Sequence, residues 1–318
     1  MSNSKIEIVE ELRYNSADFF QKALIKPTGF REYDVRWLID KELNYTGLTV
    51  LGQAYGTYLK KEYAIDKIVV GHDFRKYSQN VKNAFVNGVL SSGMDIVDIG
   101  LCLSPTLYFA QHHLGIKGGA MITASHNENG WTGIKLCYDL SKTLGPDDIK
   151  KLRDIVYSGD FLTGKGSYAL ETSVQKEYIK DVAAKADTGR KLKVVIATGN
   201  GTGGLYTPEI FRLAGHEVIE QHVEPDWDFP NFNPNPEDIS FLKDIGQKVR
   251  DVNADLGIGI DGDGDRLGVV DENGEEIFSD KIGLLVARDI APKHPGSKFI
   301  IDVKSTGLFK VDEIISSN

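Results

Sequence analysis

The chain has 318 residues, with 37 Lys and Arg against 46 Asp and Glu, for a formal net charge of −9. At roughly 150 residues per domain this length predicts two domains and a fraction, and 41% apolar with 26% charged residues is the make-up of a folded chain. The acidic balance argues against sequence-independent nucleic-acid binding, which depends on neutralising phosphates, and no stretch reaches the ~20 apolar residues that span a bilayer. Cys102 and Cys137, both in apolar sequence, read as buried reduced thiols. With no signal-peptide core at the N-terminus, the expectation is a cytoplasmic protein that contacts neither nucleic acid nor membrane.

In chain order, Lys67-Ile68-Val69-Val70 is a short apolar run followed by the polar loop Gly71-His72-Asp73-Phe74-Arg75. Val81, Ala84, Phe85 and Val89 then recur at helical spacing before Gly93 and the run Asp95–Ile99, which makes strand, loop, helix, glycine, strand. His72 and Arg75 read as braces of their own loop. Gly118–Ile122 leads into Thr123-Ala124-Ser125-His126-Asn127 and places Ser125 at a strand exit as a candidate nucleophile. The hydrolase elbow Gly-x-Ser-x-Gly is absent, and Ser, His and Asn are also common turn formers. Lys135, after Gly133-Ile134, is a cation that can return to the same cleft.

The Gly/Ser/Thr-rich run Gly159–Thr172 predicts a boundary. Residues 191–222 then repeat the first unit: strand Lys193–Ala197, loop Gly199–Gly204, helical Leu205–Leu213, turn Ala214-Gly215-His216, and strand Glu217–Glu220. Gly199–Gly204 has the look of a phosphate cradle but lacks the Lys-Ser/Thr ending, so a helix start is the plainer reading. Asp226–Glu237, rich in Pro and Asn, predicts an irregular surface loop.

Leu256–Ile260 reads as a buried strand running into Asp261-Gly262-Asp263-Gly264-Asp265-Arg266. Three carboxylates separated only by glycines can converge on one side of a tight loop and suit a hard cation. Counted as a calcium loop, the segment has Asp at its first, third and fifth positions and Glu272 at its twelfth, yet Arg266 stands where Gly is required. A strand also enters where a helix should, and the calcium-loop reading is rejected. Arg266 sets a permanent cation beside the carboxylates, where a phosphate would gain bidentate hydrogen bonds. A second boundary is expected at the turn Asp271-Glu272-Asn273-Gly274.

A third copy of the unit begins with the expected strand Lys298–Asp302, the loop Val303-Lys304-Ser305-Thr306-Gly307 and a helix over 308–315. In the second copy the closing glycine falls 18 residues after the last strand residue, and the same spacing from Ile301 runs one position past Asn318. The chain thus reads as a fragment. The fold expected is α/β: tandem units with mixed, mainly parallel sheets and helices on both faces, the third incomplete. The units are 1–165 with the serine loop, 166–275 with the aspartate loop, and 276–318.

Taken together, these loops resemble a family. Thr123–Asn127 with Gly133-Ile134-Lys135 is similar to the active-serine loop of the α-D-phosphohexomutases, and Asp261–Arg266 to their metal loop. Phe30-Arg31-Glu32-Tyr33-Asp34-Val35-Arg36 resembles the N-terminal signature of their bacterial phosphomannomutase/phosphoglucomutase branch. Asp302-Val303-Lys304-Ser305 resembles the third-domain lysine loop, and Phe229–Glu237 a recurrent second-domain stretch. Three residues depart from the pattern: Glu128 where Pro is usual, Thr132 where Asn is usual, and Trp37 where Gly is usual. The first two are expected to alter the serine loop, and Trp37 to add bulk at the mouth of the cleft.

The resemblance implies interconversion of hexose 1-phosphate and hexose 6-phosphate, on mannose and/or glucose, through a phosphoserine enzyme and a hexose 1,6-bisphosphate. Ser125 would carry the phosphoryl group, and Asp261, Asp263 and Asp265 would hold Mg²⁺ with an oxygen on Ser125. Lys135 would serve as general acid/base, helped by Arg36 and His126, while Tyr33, Arg266 and Lys304 would contact substrate or phosphate. It also implies a fourth domain beyond the present chain. The alternatives are a phosphoglucosamine mutase, which Phe30–Arg36 argues against, a Mg²⁺-dependent phosphatase, and a truncated metal- and phosphosugar-binding remnant without turnover.

Overall fold

Strands that are apolar on both sides need cover on both faces, and the first sheet has it. A computed structural model describes residues 6–186 and 189–316. The sheet runs in the order Val35–Leu38, Trp131–Asp139, Gly118–Ile122, Lys67–His72, Asp95–Leu101, Tyr168–Leu170, with Lys142-Thr143 paired to Trp131–Asp139. Its last four strands are parallel, while Trp131–Asp139 is antiparallel to its neighbours. Ile68, Val70, Ala120 and Ile122 pack with the helices Tyr45–Tyr63, Ser78–Ser91 and Pro146–Ser158. Val69 and Met121, one residue out of step, pack instead with Leu107 and Ala110 of the helix Ser104–Leu114 and with Val174 of Val174–Lys185. Side chains alternate along a strand, so a continuous apolar run serves two cores.

The second sheet has the order Glu217–Gln221, Lys193–Ala197, Leu256–Ile260, Leu267–Val270, Glu276-Ile277. Its first three strands are parallel and the last two antiparallel. Phe241, Leu242, Ile245 and Val249 of the helix Ile239–Val252 fill its core with Val195, Ala197 and Val270. The expected α/β class, with mixed sheets, is what the chain adopts. In both sheets the loops of interest leave the carboxyl ends of parallel strands, where such folds place their ligands.

Several expectations need correction. The run Gly159–Thr172 is not wholly linker: Tyr168–Leu170 pairs with Asp95–Leu101, so the first sheet extends past residue 165. Asp271–Gly274 is a hairpin turn, and Glu276-Ile277 pairs with Leu267–Val270, so the second sheet extends past 275. Lys298–Asp302 forms no strand, because among the described residues no strand offers its backbone a ladder; Ile300 is 99% exposed. The helix expected over 308–315 is split into Leu308–Val311 and Glu313–Ser316 at Asp312, whose carboxylate accepts from the N–H groups of Ile314 and Ile315. Trp37 is not at a cleft mouth. It is fully buried in the first core, donates to Lys26 O at 2.7 Å and meets Phe30 edge to face. Cys102 and Cys137 are buried and free, as expected. Among the described residues no helix is long and apolar enough to cross a membrane.

Candidate active site

The strand Gly118–Ile122 ends in a tight turn that lifts Ser125 into the left-handed region, at φ 53°. A non-glycine residue there is strained and persists only when its surroundings hold it. Several contacts do so. The Ser125 N–H donates to Thr123 Oγ1 at 2.8 Å, and the buried Arg75 guanidinium donates to the carbonyls of Ser125 (2.8 Å), Asn127 (2.6 Å) and Glu128 (3.3 Å). Asp73 in turn accepts from Arg75 Nε at 3.2 Å and from Ser78. Arg75 therefore braces the serine loop as well as its own. His72, next to it, has its pKa lowered by burial.

Facing this turn, the aspartate loop joins the antiparallel strands Leu256–Ile260 and Leu267–Val270. Gly262 has no Cβ to clash: one there would lie 2.5 Å from Ser125 O. Asp261 Oδ2 accepts from Ser125 Oγ at 2.9 Å, and its Oδ1 accepts from the N–H groups of Asp265 and Arg266 at 3.0 and 3.1 Å. Asp263 Oδ2 accepts from Ser104 Oγ at 2.6 Å and Lys135 Nζ at 2.7 Å. Lys135 also donates to Asp265. It stands on Trp131–Asp139, in register with Met121 of the strand that leads to the serine.

Each of the three aspartates offers an oxygen within 4.8 Å of the others. Burial, together with Asp263 and Asp265, pushes the Asp261 carboxyl up to about 8. Burial would raise Asp263 too, but Lys135 and Ser104 outweigh it and hold this carboxyl at about 2. Lys135 shows the converse balance: burial lowers its pKa, Asp263 and Asp265 overcome that, and it stays an ammonium. Asp263 Oδ1, fully buried, has no hydrogen-bond partner among the described residues. A bare anionic oxygen beside two further carboxylates is the donor set of a hard divalent cation, so the residues fit one. The loop lies between strands, which bears out the rejection of a calcium-binding helix pair.

Above the aspartates opens a cavity of about 510 Å³ lined by Tyr33, Arg36, Ser125, His126, Lys135, Asp265 and Arg266 among others. Arg36 is buried and bonds Asp34, Asn127 and Ala124 O. His126 Nδ1 lies 3.3 Å from Ser125 Oγ. Burial, then Arg266 and Arg36, lowers its pKa, so the ring is neutral near pH 7. Arg266 pairs with Glu237 at 2.9 Å. Lys304 is exposed and does not line this cavity. Gly199–Gly204 opens a short 3₁₀ helix, Thr202–Leu205, and Thr202 Oγ1 accepts from Phe74 N.

Sequence reasoning missed Asp34, Asp73, Ser104, Asn233 and Glu237. Asn233 and Glu237 sit in the irregular Pro/Asn loop, where Asn233 Nδ2 donates to His126 O at 2.7 Å. The density of asparagines was the available signal, but nothing in their spacing says which neighbour they meet. Ser104 comes from a helix start 21 residues before Ser125, and only the packing brings it there.

Two family models match the chain: phosphoglucomutase/phosphomannomutase, alpha/beta/alpha domain I, over residues 27–163, and domain II over residues 176–274. The phosphomannomutase/phosphoglucomutase of Pseudomonas syringae pv. tomato is 34% identical over 283 residues, which cover 89% of this chain and 60% of that protein. A phosphomannomutase of Escherichia coli is 36% identical over 291 residues, covering 88% and 63%. The crystal structure of a phosphoglucomutase/phosphomannomutase family protein from Burkholderia thailandensis superposes with a TM-score of 0.86 at 30% identity, over 92% of this chain and 64% of that one. The chain spans about three fifths of the length of these curated relatives.

Proposed function

Because the chain belongs to the phosphoglucomutase/phosphomannomutase family of the α-D-phosphohexomutase superfamily, we propose that it carries the phosphoryl-transfer centre of a phosphohexomutase acting on mannose and/or glucose phosphates. The observation that carries this reading is Ser125 Oγ, 2.9 Å from Asp261 at the floor of a cavity with Arg36, Lys135 and Arg266 on its walls. Asp261, Asp263 and Asp265, with an oxygen on Ser125, would hold Mg²⁺. Such an ion, when bound, offsets the negative charge of the phosphoryl group. The serine unit, with the strand Tyr168–Leu170, and the aspartate unit, through Ile277, act as one centre in this reading. A cytoplasmic location goes with it.

In the first half-reaction the bond from Ser125 Oγ to phosphorus breaks as a hydroxyl oxygen of the hexose monophosphate bonds to phosphorus, giving a hexose 1,6-bisphosphate and a free serine; the second half-reaction is the reverse at the sugar's other phosphate. The hydroxyl proton leaves the sugar and a proton reaches Ser125 Oγ, so charge balances. Lys135 serves as the general acid/base that moves these protons, helped by Arg36 and by His126, 3.3 Å from Ser125 Oγ. The bisphosphate reorients and returns its other phosphoryl group to Ser125. Arg36 and Arg266 stabilise the spreading anion and Tyr33 borders the sugar; the protein's part is positioning and charge. Lys304 is left out.

Incubation with glucose 1,6-bisphosphate and Mg²⁺, followed by intact-mass and peptide mapping, is expected to give one phosphate on Ser125 and none on Ser125→Ala. Phosphate at another residue would overturn the assignment. Steady release of inorganic phosphate with no sugar phosphorylated would favour a phosphatase.

A further inference from the structure

The two carboxylate oxygens of Asp263 meet different surroundings. Oδ2 holds two donors, Ser104 Oγ at 2.6 Å and Lys135 Nζ at 2.7 Å, while Oδ1 is bare among the described residues. Ser104 opens the helix Ser104–Leu114, which packs on the first sheet, whereas Asp263 belongs to the loop of the second. Its hydroxyl is fully buried, donates to Asp263 and accepts from Lys135 Nζ at 3.1 Å. Its backbone N–H also donates to Asp263 O at 2.9 Å. Ser104 therefore grips this aspartate at both main chain and side chain.

A carboxylate can turn about its last bond, and turning would exchange the two oxygens. Donors that saturate one oxygen stop that rotation and leave the other free to accept a cation. Building on the reading of these aspartates as a cation site, we infer that Ser104 is a positioning residue that aims Asp263 Oδ1 at the cation. The cation site is then complete only when the first unit, through its helix start, is docked on the second. Partners of this kind fix the orientation of metal ligands in general.

The test is titration calorimetry of the full chain with MgCl₂. Ser104→Ala is expected to weaken Mg²⁺ binding about 10- to 100-fold, the usual effect of losing such a partner. Thr106→Val, which removes a buried hydroxyl that has no partner among the described residues from the same helix, is expected to leave it unchanged. Ser104→Thr, which keeps a hydroxyl, should restore most of the affinity. A folded Ser104→Ala protein that binds Mg²⁺ like the wild type would overturn the inference. If Ser104→Ala fails to fold, Ser104→Cys keeps the bulk with a weaker donor; wild-type affinity there would overturn it equally. Loss of binding in Asp263→Asn with full binding in Ser104→Ala sinks only the role of Ser104. A wild-type chain that takes up no Mg²⁺ sinks the metal reading along with it.

Discussion

Ser125 occupies a backbone conformation that costs energy, and Arg75 supplies most of the contacts that restrain it. Arg75 donates to three carbonyls of the serine loop while its charge is met by Asp73, both nearly fully buried. Removing one member of such a buried pair leaves the other uncompensated, at about 3–5 kcal/mol. Arg75→Ala is therefore expected to lower stability by that order in urea unfolding and to abolish phosphorylation of Ser125. Arg75→Lys should recover only part, since a single ammonium cannot reach three carbonyls as the planar fork does; a lysine variant matching wild type would refute this account. For the aspartates, Asp263→Asn is expected to weaken Mg²⁺ binding at least about tenfold, whereas Glu272→Gln should change nothing. Glu272 is exposed in the hairpin turn after Leu267–Val270. Equal losses in calorimetry would revive the calcium-loop reading.

Loops and helices meet here through glycines placed where a backbone needs the space. A Cβ at Gly262 would fall 2.5 Å from Ser125 O, and one at Gly88 would fall 1.9 Å from Thr49 O between the helices Tyr45–Tyr63 and Ser78–Ser91. The two positions predict different failures. Gly88→Ala should lower the unfolding free energy by about 1–3 kcal/mol through overpacking, while the folded fraction still accepts phosphate at Ser125. Gly262→Ala should push the serine and aspartate loops apart, leaving circular dichroism unchanged but abolishing Mg²⁺ binding. Full binding in Gly262→Ala would show that the loops tolerate separation. At this scale the apolar runs 67–70, 118–122, 193–197 and 256–260 were legible because burial on both faces or at a sheet centre demands such residues. Lys298–Asp302 has the same composition and forms no strand, since a strand requires a partner as well as a propensity.

The two sheets are joined by contacts that converge on the cleft. Asn233 meets His126, Thr202 meets Phe74, Tyr206 OH donates to Leu101 O, and Ser104 and Lys135 hold Asp263. A cation bound at this junction favours the docked, folded state alone, so Mg²⁺ at 100 times its dissociation constant should add about 2.7 kcal/mol of stability. Thermal unfolding is expected to shift upward with Mg²⁺, to return on adding a chelator, and to lose the shift in Asp261→Asn. An unchanged midpoint at saturating Mg²⁺ would contradict the cation site.

The amino-acid sequence alone determined the α/β class and the repeated strand–loop–helix unit, and it singled out the serine and aspartate loops as the candidate centre. Each of these is a local pattern: periodic burial, a glycine-spaced run of carboxylates, a polar turn at a strand exit. What only the tertiary structure decided was which distant residues serve those loops. Arg75 and Ser104 lie 50 and 21 positions before Ser125 in the chain, and Asn233 and Glu237 sit in a loop whose composition says only that it is irregular. Trp37 was misplaced for the same reason: a strand residue one step from Arg36 points to the opposite face, and pleating sent it into the core. Contacts between segments far apart in sequence follow from packing of two sheets, and no spacing along the chain encodes them.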